Sequence, residues 1–389
     1  MRTGDQSYIK ELNKSIAVKI LRNHKSISRT QISKVSGLNK ATVSSIVDEL
    51  IDSGLAVEQG RGHSAVGRRP VLLHFNARAG YAVGIEVAVG YLRGVLTDLA
   101  GNPIEIIHQP FENSNKTKVA LEQINDLISN LIKLAPESSL GILGIGIGVP
   151  GLVNFSKGII LNAPNLGWTD FPLRSMLETQ WNFPIFVDNE ANAGVLGEKQ
   201  FGIGKDVSNL VYISAGGGLG TGIIVANELI RGADGLSGEF GHMTIETQGL
   251  RCSCGNRGCL ETYASERYLT ERYRQMTGFS IDFDTIVEKL NNHDDDAIEA
   301  VHSAGHYLGI GISNIINAIN PTLVIIGNRF ADLGMHLVNS VNHTIQERCF
   351  IKPYSSVTVH LTELGANACS IGAASLVLDR YFTGPNTSF

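Results

Sequence analysis

At 389 residues the chain is long for a single domain, and 43% apolar with 18% charged residues describe a soluble protein able to bury cores in two or three units. No apolar run approaches the ~20 residues that cross a bilayer, and Met1 to Asp5 lead into a polar helix instead of an apolar leader, so the cytoplasm is expected and no membrane partner. The net charge of −5 conceals an asymmetry. Residues 1–80 hold 13 Lys and Arg against 6 Asp and Glu, while the remainder holds 19 against 31. A basic head on an acidic body points to nucleic acid as a partner of the head.

Ile9, Leu12, Ile16 and Ile20 recur at helical spacing, which predicts an amphipathic helix from Tyr8 to about Arg22 with Lys10, Lys14 and Lys19 outside. Ser28 with Gln31 is a capping-box pair that opens a second helix, Ile32 and Val35 are its expected inner face, and Gly37 ends it. Asn39 caps a third helix, with Val43, Ile46, Val47 and Leu50 inside. Its outward face begins with Lys40, Thr42, Ser44 and Ser45. Short hydroxyl and amide groups reach base edges in a major groove while a lysine meets phosphate, so these residues and Asn39 are the candidate DNA contacts. Two alternating stretches, Leu55 to Gly60 and Val71 to Asn76, read as strands. The Gly-rich loop between them carries Arg68 and Arg69, a wing able to enter a minor groove. Residues 1–80 are therefore read as a winged helix-turn-helix domain.

Beyond Gly80, Gly-rich strands alternate with helices, the texture of an α/β architecture. Tyr81 to Val87, Tyr91 to Asp98 and Ile104 to Ile107 read as an antiparallel meander. A helix near Lys118 to Leu134 and a buried strand from Leu143 to Val149 follow. Strand, turn and strand recur from Leu210 to Ala226 around Gly216 to Gly220, consistent with a duplicated actin-like (ribonuclease H-like) body of two lobes with a cleft between them.

Five cysteines do not make a disulfide framework in a chain this size. Cys252, Cys254 and Cys259 crowd into eight residues soon after His242. One imidazole and three thiolates satisfy tetrahedral zinc with no vacancy for a catalytic water, so a structural zinc site is expected. Cys349 and Cys369 are expected in the core. Asn165, Asp188, Asn189, Glu190, Glu239 and Glu261 supply the adjacent amides and carboxylates that sugar hydroxyls need when they leave water.

These features together resemble the ROK family (repressors, open reading frames and sugar kinases) and, within it, the xylose-operon repressors. The resemblance runs from Ser28-Arg29 and Gly37-Leu38-Asn39-Lys40 through Gly67-Arg68-Arg69-Pro70 to the stretch Cys252 to Cys259. It implies zinc on His242, Cys252, Cys254 and Cys259. It also implies sugar contacts from Asn165, Asn189, Glu190, Glu239, His242 and Glu261. Family kinases carry an Asp base where this chain has Glu190, and Asp-x-Gly-Gly-Thr where it has Glu86-Val87-Ala88-Val89-Gly90. Both departures speak against phosphoryl transfer, so catalytic residues are not expected.

The expected organisation is a head over 1–80, a first lobe over 81–192 completed by 365–389, and a second lobe over 193–364 with the zinc loop and oligomer interface. The expected function is that of a homodimeric or larger repressor on double-stranded operator DNA, released by a small sugar, xylose or alternatively glucose. The alternative is a sugar kinase with an added DNA-binding arm.

Overall fold

The computed structural model describes residues 6–61, 70–352 and 356–383. The chain opens with α1 (Gln6–Arg22), β1 (Ile27–Ser28), α2 (Arg29–Ser36), α3 (Lys40–Asp52), β2 (Ala56–Arg61) and β3 (Val71–Phe75). The strands form one antiparallel sheet in the order β1-β3-β2. Local sequence chemistry sets the helix ends as expected. The Ser28 hydroxyl accepts from Gln31 N while the Gln31 side chain accepts from Ser28 N at 2.9 Å, closing the capping box. Gly37 takes the left-handed conformation at φ 73° that stops α2. Asn39 Oδ1 accepts from Thr42 N at 2.8 Å to start α3, and Val43, Ile46, Val47 and Leu50 are all buried.

The first helix corrects the periodicity argument. Ile9 and Leu12 are 49% and 44% exposed, whereas Ala17, Val18 and Leu21 are buried. The helix packs on α2 and α3 and also on the last helix of the chain, so its enclosed positions lie in its C-terminal half. Val35, expected inside α2, is exposed, and Ile32 alone fills the interior there.

The body is built on two five-stranded sheets. The first uses β4 (Tyr81–Val87), β5 (Tyr91–Asp98), β6 (Pro103–Pro110), β7 (Ile142–Val149) and β11 (Ile185–Asn189), with α4 (Thr117–Lys133) between β6 and β7. A small antiparallel sheet of β8 (Leu152–Asn154), β9 (Ile159–Ala163) and β10 (Trp168–Phe171), followed by α5 (Leu173–Glu178), is inserted before β11. Helix α6 (Glu190–Phe201) leads out of β11.

The second sheet uses β12 (Leu210–Ala215), β13 (Leu219–Val225), β14 (Glu228–Leu229), β15 (Leu323–Gly327) and β16 (Thr358–Leu361). It is covered by α7 (Glu266–Thr277), α8 (Phe283–Asn291), α9 (Asp295–Ile319) and α10 (Gly334–Arg348). The strand orders are β6-β5-β4-β7-β11 and β14-β13-β12-β15-β16. Each is thus an antiparallel meander continued by two parallel strands, with the first strand of the meander at the centre. This is the duplication that the strand-turn-strand repeat foreshadowed.

The last helix, α11 (Ala368–Thr383), returns to the first sheet. Small residues let it lie directly on backbone: a Cβ added at Gly84 would strike Ser370 O, one at Gly146 would strike Ala373 O, and one at Gly372 would strike Ala193 O of α6. At its far end Ala374, Val377, Leu378 and Phe382 join Ala17, Val18, Leu21 and Leu73 of the head in one apolar cluster. The Arg22 guanidinium sits 4.2 Å from the centre of the Phe382 ring. Head and body therefore share a core across α1 and α11.

Candidate functional site

The head presents the start of α3 to solvent. Asn39, Lys40 and Ser45 are exposed, and Thr42 and Ser44 are half-buried beside the inner stripe. Arg29 pairs with Asp48 at 2.7 Å and with Glu58 at 3.1 Å, and also donates to Ser44 O at 3.4 Å, tying the start of α2 to α3 and β2. Arg68 and Arg69 lie outside the described residues.

In the body, the turn between β12 and β13 gathers the polar residues expected to meet a sugar. A Cβ built on Gly218 would stand 3.0 Å from Glu261 Oε2 and 3.7 Å from Asn165 Nδ2. One built on Gly220 would stand 3.9 Å from Glu190 Oε1 and 4.0 Å from Asn189 Oδ1. Four side chains from three segments far apart in sequence thus converge on one Gly-rich turn, where the missing side chains leave room. Glu261 is fixed there because its Oε2 accepts from Leu219 N at 3.1 Å. Asn189 caps α6, accepting from Ala191 N at 2.8 Å, and donates through Nδ2 to Gly151 O at 2.9 Å.

Glu190 is recessed in this cleft. Its Oε1 accepts from the Ser214 hydroxyl at 3.3 Å, and Ser214 in turn accepts from Asn328 Nδ2 at 3.0 Å. Loss of hydration, reinforced by the charge of Glu86, pushes its carboxyl up to about 8 against the Ser214 hydrogen bond. Glu239 opens to solvent at the mouth, three residues before His242. Ser214 and Asn328 carried no sequence signal; only the meeting of β12 with the segment after β15 brings them to Glu190.

His242, Cys252, Cys254 and Cys259 form a four-donor group whose ligand atoms all lie within 4.8 Å of one another, an arrangement able to hold a metal ion. Cys252 Sγ is 3.6 Å from His242 Nδ1, and Cys254 Sγ is 3.7 Å from Cys259 Sγ. Backbone geometry forces the approach: Gly258 has φ 72°, and a Cβ there would collide with Glu246 O. The loop backs the β12–β13 turn directly, since Glu261 Oε1 lies 3.9 Å from Cys252 Sγ and a Cβ on Gly241 would strike Leu219 O. Cys349 and Cys369 are buried away from this group.

The opposite hairpin, between β4 and β5, is closed on itself. Glu86 is 2% exposed and accepts from Tyr91 Oη at 2.9 Å and from Arg93 at 3.2 Å. Arg93 also donates to Ala366 O, which joins the hairpin to the approach of α11. Ala88 is buried and Val89 exposed, so neither leaves the bare backbone that a phosphate requires.

The ROK family model matches residues 82–380. The xylose repressor of Bacillus spizizenii is 40% identical over 381 residues, covering 98% of this chain and 98% of that protein. A glucokinase of Halalkalibacterium halodurans is 29% identical over 310 residues, covering 76% of this chain and 94% of that enzyme. Among solved structures, a ROK family transcriptional regulator, a homolog of the E. coli MLC protein, is similar at a TM-score of 0.83 and 28% identity over 97% of this chain and 98% of its own. The repressor and the regulator match this chain along nearly its whole length, whereas the glucokinase leaves about a quarter of it unmatched. The chain belongs to the ROK family.

Proposed function

We propose that this chain is a sugar-responsive transcriptional repressor. Residues 1–80 bind double-stranded operator DNA as a winged helix-turn-helix, with Asn39, Lys40, Thr42, Ser44 and Ser45 at the major groove and Arg68 and Arg69 on the wing. The body, a first lobe of 81–192 with 365–389 and a second of 193–364, takes a sugar between its lobes through Asn165, Asn189, Glu190, Glu239, His242 and Glu261. Xylose is the inducer that the Bacillus relative favours; glucose is the alternative. A two-fold operator requires at least a homodimer, and the setting is the cytoplasm, where operator DNA is found.

The metal of the four-donor group is zinc in this reading. A tetrahedron with Zn–S of ~2.3 Å and Zn–N of ~2.05 Å has S···S edges of about 3.8 Å and S···N edges of about 3.6 Å. Two of the six donor separations, 3.7 Å and 3.6 Å, lie at those edges, and the whole set falls within 4.8 Å, so a small contraction would close the tetrahedron. With four protein donors it would be structural. The ion would hold the loop on which His242 and Glu261 are carried.

The observation that carries the reading is the shared core of α1 and α11. Helix α11 lies against α6, whose first turn holds Asn189 and Glu190 next to the cleft, and ends against Leu21 and Arg22 of the head. A sugar that prefers one lobe arrangement can therefore bias the head by as much as its differential affinity. Fluorescence anisotropy with a palindromic operator from the chain's own upstream region is expected to show tight binding that xylose or glucose weakens. Binding indifferent to every sugar tried would overturn the induction.

A further inference from the structure

Asp188, read in the sequence among the groups for sugar hydroxyls, instead has both carboxylate oxygens engaged by protein donors. Asp188 is 2% exposed and ends β11. Its Oδ1 accepts from Asn189 N at 2.8 Å and from Asn192 Nδ2 at 3.0 Å. Its Oδ2 accepts from Arg231 Nη2 at 2.6 Å and Arg231 Nε at 3.3 Å. The Arg231 side chain is 10% exposed, and its guanidinium lies 4.1 Å from the centre of the Phe155 ring. A planar fork that serves a carboxylate with two nitrogens while stacking on an aromatic face is a role lysine cannot fill.

The three groups belong to three segments that each carry a proposed sugar contact. Asp188 adjoins Asn189 and Glu190. Phe155 sits in the β8–β9 turn, itself fixed by Arg174, which donates to Phe155 O at 2.7 Å and to Ser156 O at 2.9 Å. That hairpin runs on through β9 to Asn165. Arg231 follows β14 in the second sheet, and Ser237 N donates back to Arg231 O at 3.0 Å, closing the loop that leads to Glu239. The Thr221 hydroxyl donates to Gly238 O at the end of the same loop.

We infer that Arg231 is a positioning residue of the cleft: its bidentate bond to Asp188 and its stacking on Phe155 hold Asn165, Asn189, Glu190 and Glu239 in the register that a sugar requires. The inference rests on the sugar-binding reading above. The pair also bridges elements of the two five-stranded sheets, since β11 and β14 belong to different ones. Moving the segment after β14 away from β11 would break both nitrogen–carboxylate bonds at once. Nothing in the local sequence marks Arg231, because its partners lie 43 and 76 positions away.

The test is calorimetry of the full-length chain with xylose and with glucose, alongside operator anisotropy without sugar and metal content per chain. Arg231→Ala is expected to weaken sugar binding by roughly tenfold or more, about 1.4 kcal/mol, with sugar-free operator binding and metal content kept. Millimolar guanidinium chloride should restore part of the loss and sodium chloride at the same ionic strength should not, a difference that a general loss of fold would not produce. Parental sugar affinity in Arg231→Ala, or equal restoration by both salts, would overturn the inference. Where Arg231→Ala does not fold, Arg231→Lys decides: weakened sugar binding at an unchanged melting temperature supports the role and parental binding sinks it. A parent chain that binds neither sugar overturns the sugar reading itself, whatever the variants do.

Discussion

The two hairpins that face each other across the body occupy equivalent places in equivalent sheets and have been filled in opposite ways. Between β12 and β13 the chain offers Gly216 to Gly220, and the space left by absent side chains is ringed by Asn165, Asn189, Glu190 and Glu261. Between β4 and β5 it offers Val87 to Gly90, and the acidic residue beneath, Glu86, is committed to Tyr91 and Arg93. The first turn is propped from outside by the metal loop, the second from inside by an ion pair. A duplicated scaffold can thus keep an open, polar-ringed turn on one side and a filled hairpin on the other, without a change in strand order.

Removing the outer prop should have the largest effect. Cys259→Ser takes one thiolate from the four-donor group, and the variant is expected to lose its metal and several kcal/mol of body stability. Metal analysis and thermal melting would show it; retention of one ion per chain would refute the four-ligand arrangement. Removing the inner prop comes second. Arg93→Met leaves Glu86 buried without its cation, which should cost about 3 kcal/mol by denaturant unfolding, less if the carboxyl takes up a proton. Sugar affinity should change little. A loss of sugar binding as large as the loss of stability would mean that the two hairpins are not independent.

The most conditional effect, absent at acid pH, belongs to Glu190, which lies between them and feels Glu86 from one side and Ser214 and Glu261 from the other. With its folded value near 8 against an ordinary 4.5, the native chain retains a proton that the unfolded chain releases. The stability tied to that proton is complete below about 4.5 and is lost as pH rises to about 8. Glu190→Gln should therefore leave stability and melting temperature unchanged at the acid end and raise both above pH 8, by no more than the about 5 kcal/mol that the difference between 4.5 and 8 allows. An equal shift at both ends would show that Glu190 titrates alike in the folded and the unfolded chain.

The parts that could be read in advance were those whose chemistry is local. Ser28 with Gln31, Gly37 and Asn39 set helix ends through bonds that span three or four residues, and the cysteines of the metal group lie within eight. Glu86 and Glu190 stood out against the family pattern, but their surroundings did not. The pairing of Glu86 with Arg93 is a cross-strand contact. Glu190 meets Ser214 and Asn328 only through the packing of α6 against the second sheet, and Arg231 reaches Asp188 from another sheet altogether. The apolar stripe of α1 misled for a related reason: periodicity marks which side of a helix is apolar, whereas Ile9 and Leu12 are exposed because no described element covers that end.

By itself, then, the sequence determined a basic helix-turn-helix head, a Gly-rich α/β body, a four-donor metal loop and a phosphate hairpin out of pattern, all of which rest on residue type at short spacing. The tertiary structure alone decided that α11 joins the head to the body in one core, that Asn165, Asn189, Glu190 and Glu261 converge on the β12–β13 turn, and that Arg231, just after β14, reaches Asp188 at the end of β11. These depend on contacts between segments tens to hundreds of residues apart. Such contacts are fixed by how whole sheets and helices pack, and no short stretch of chain encodes them.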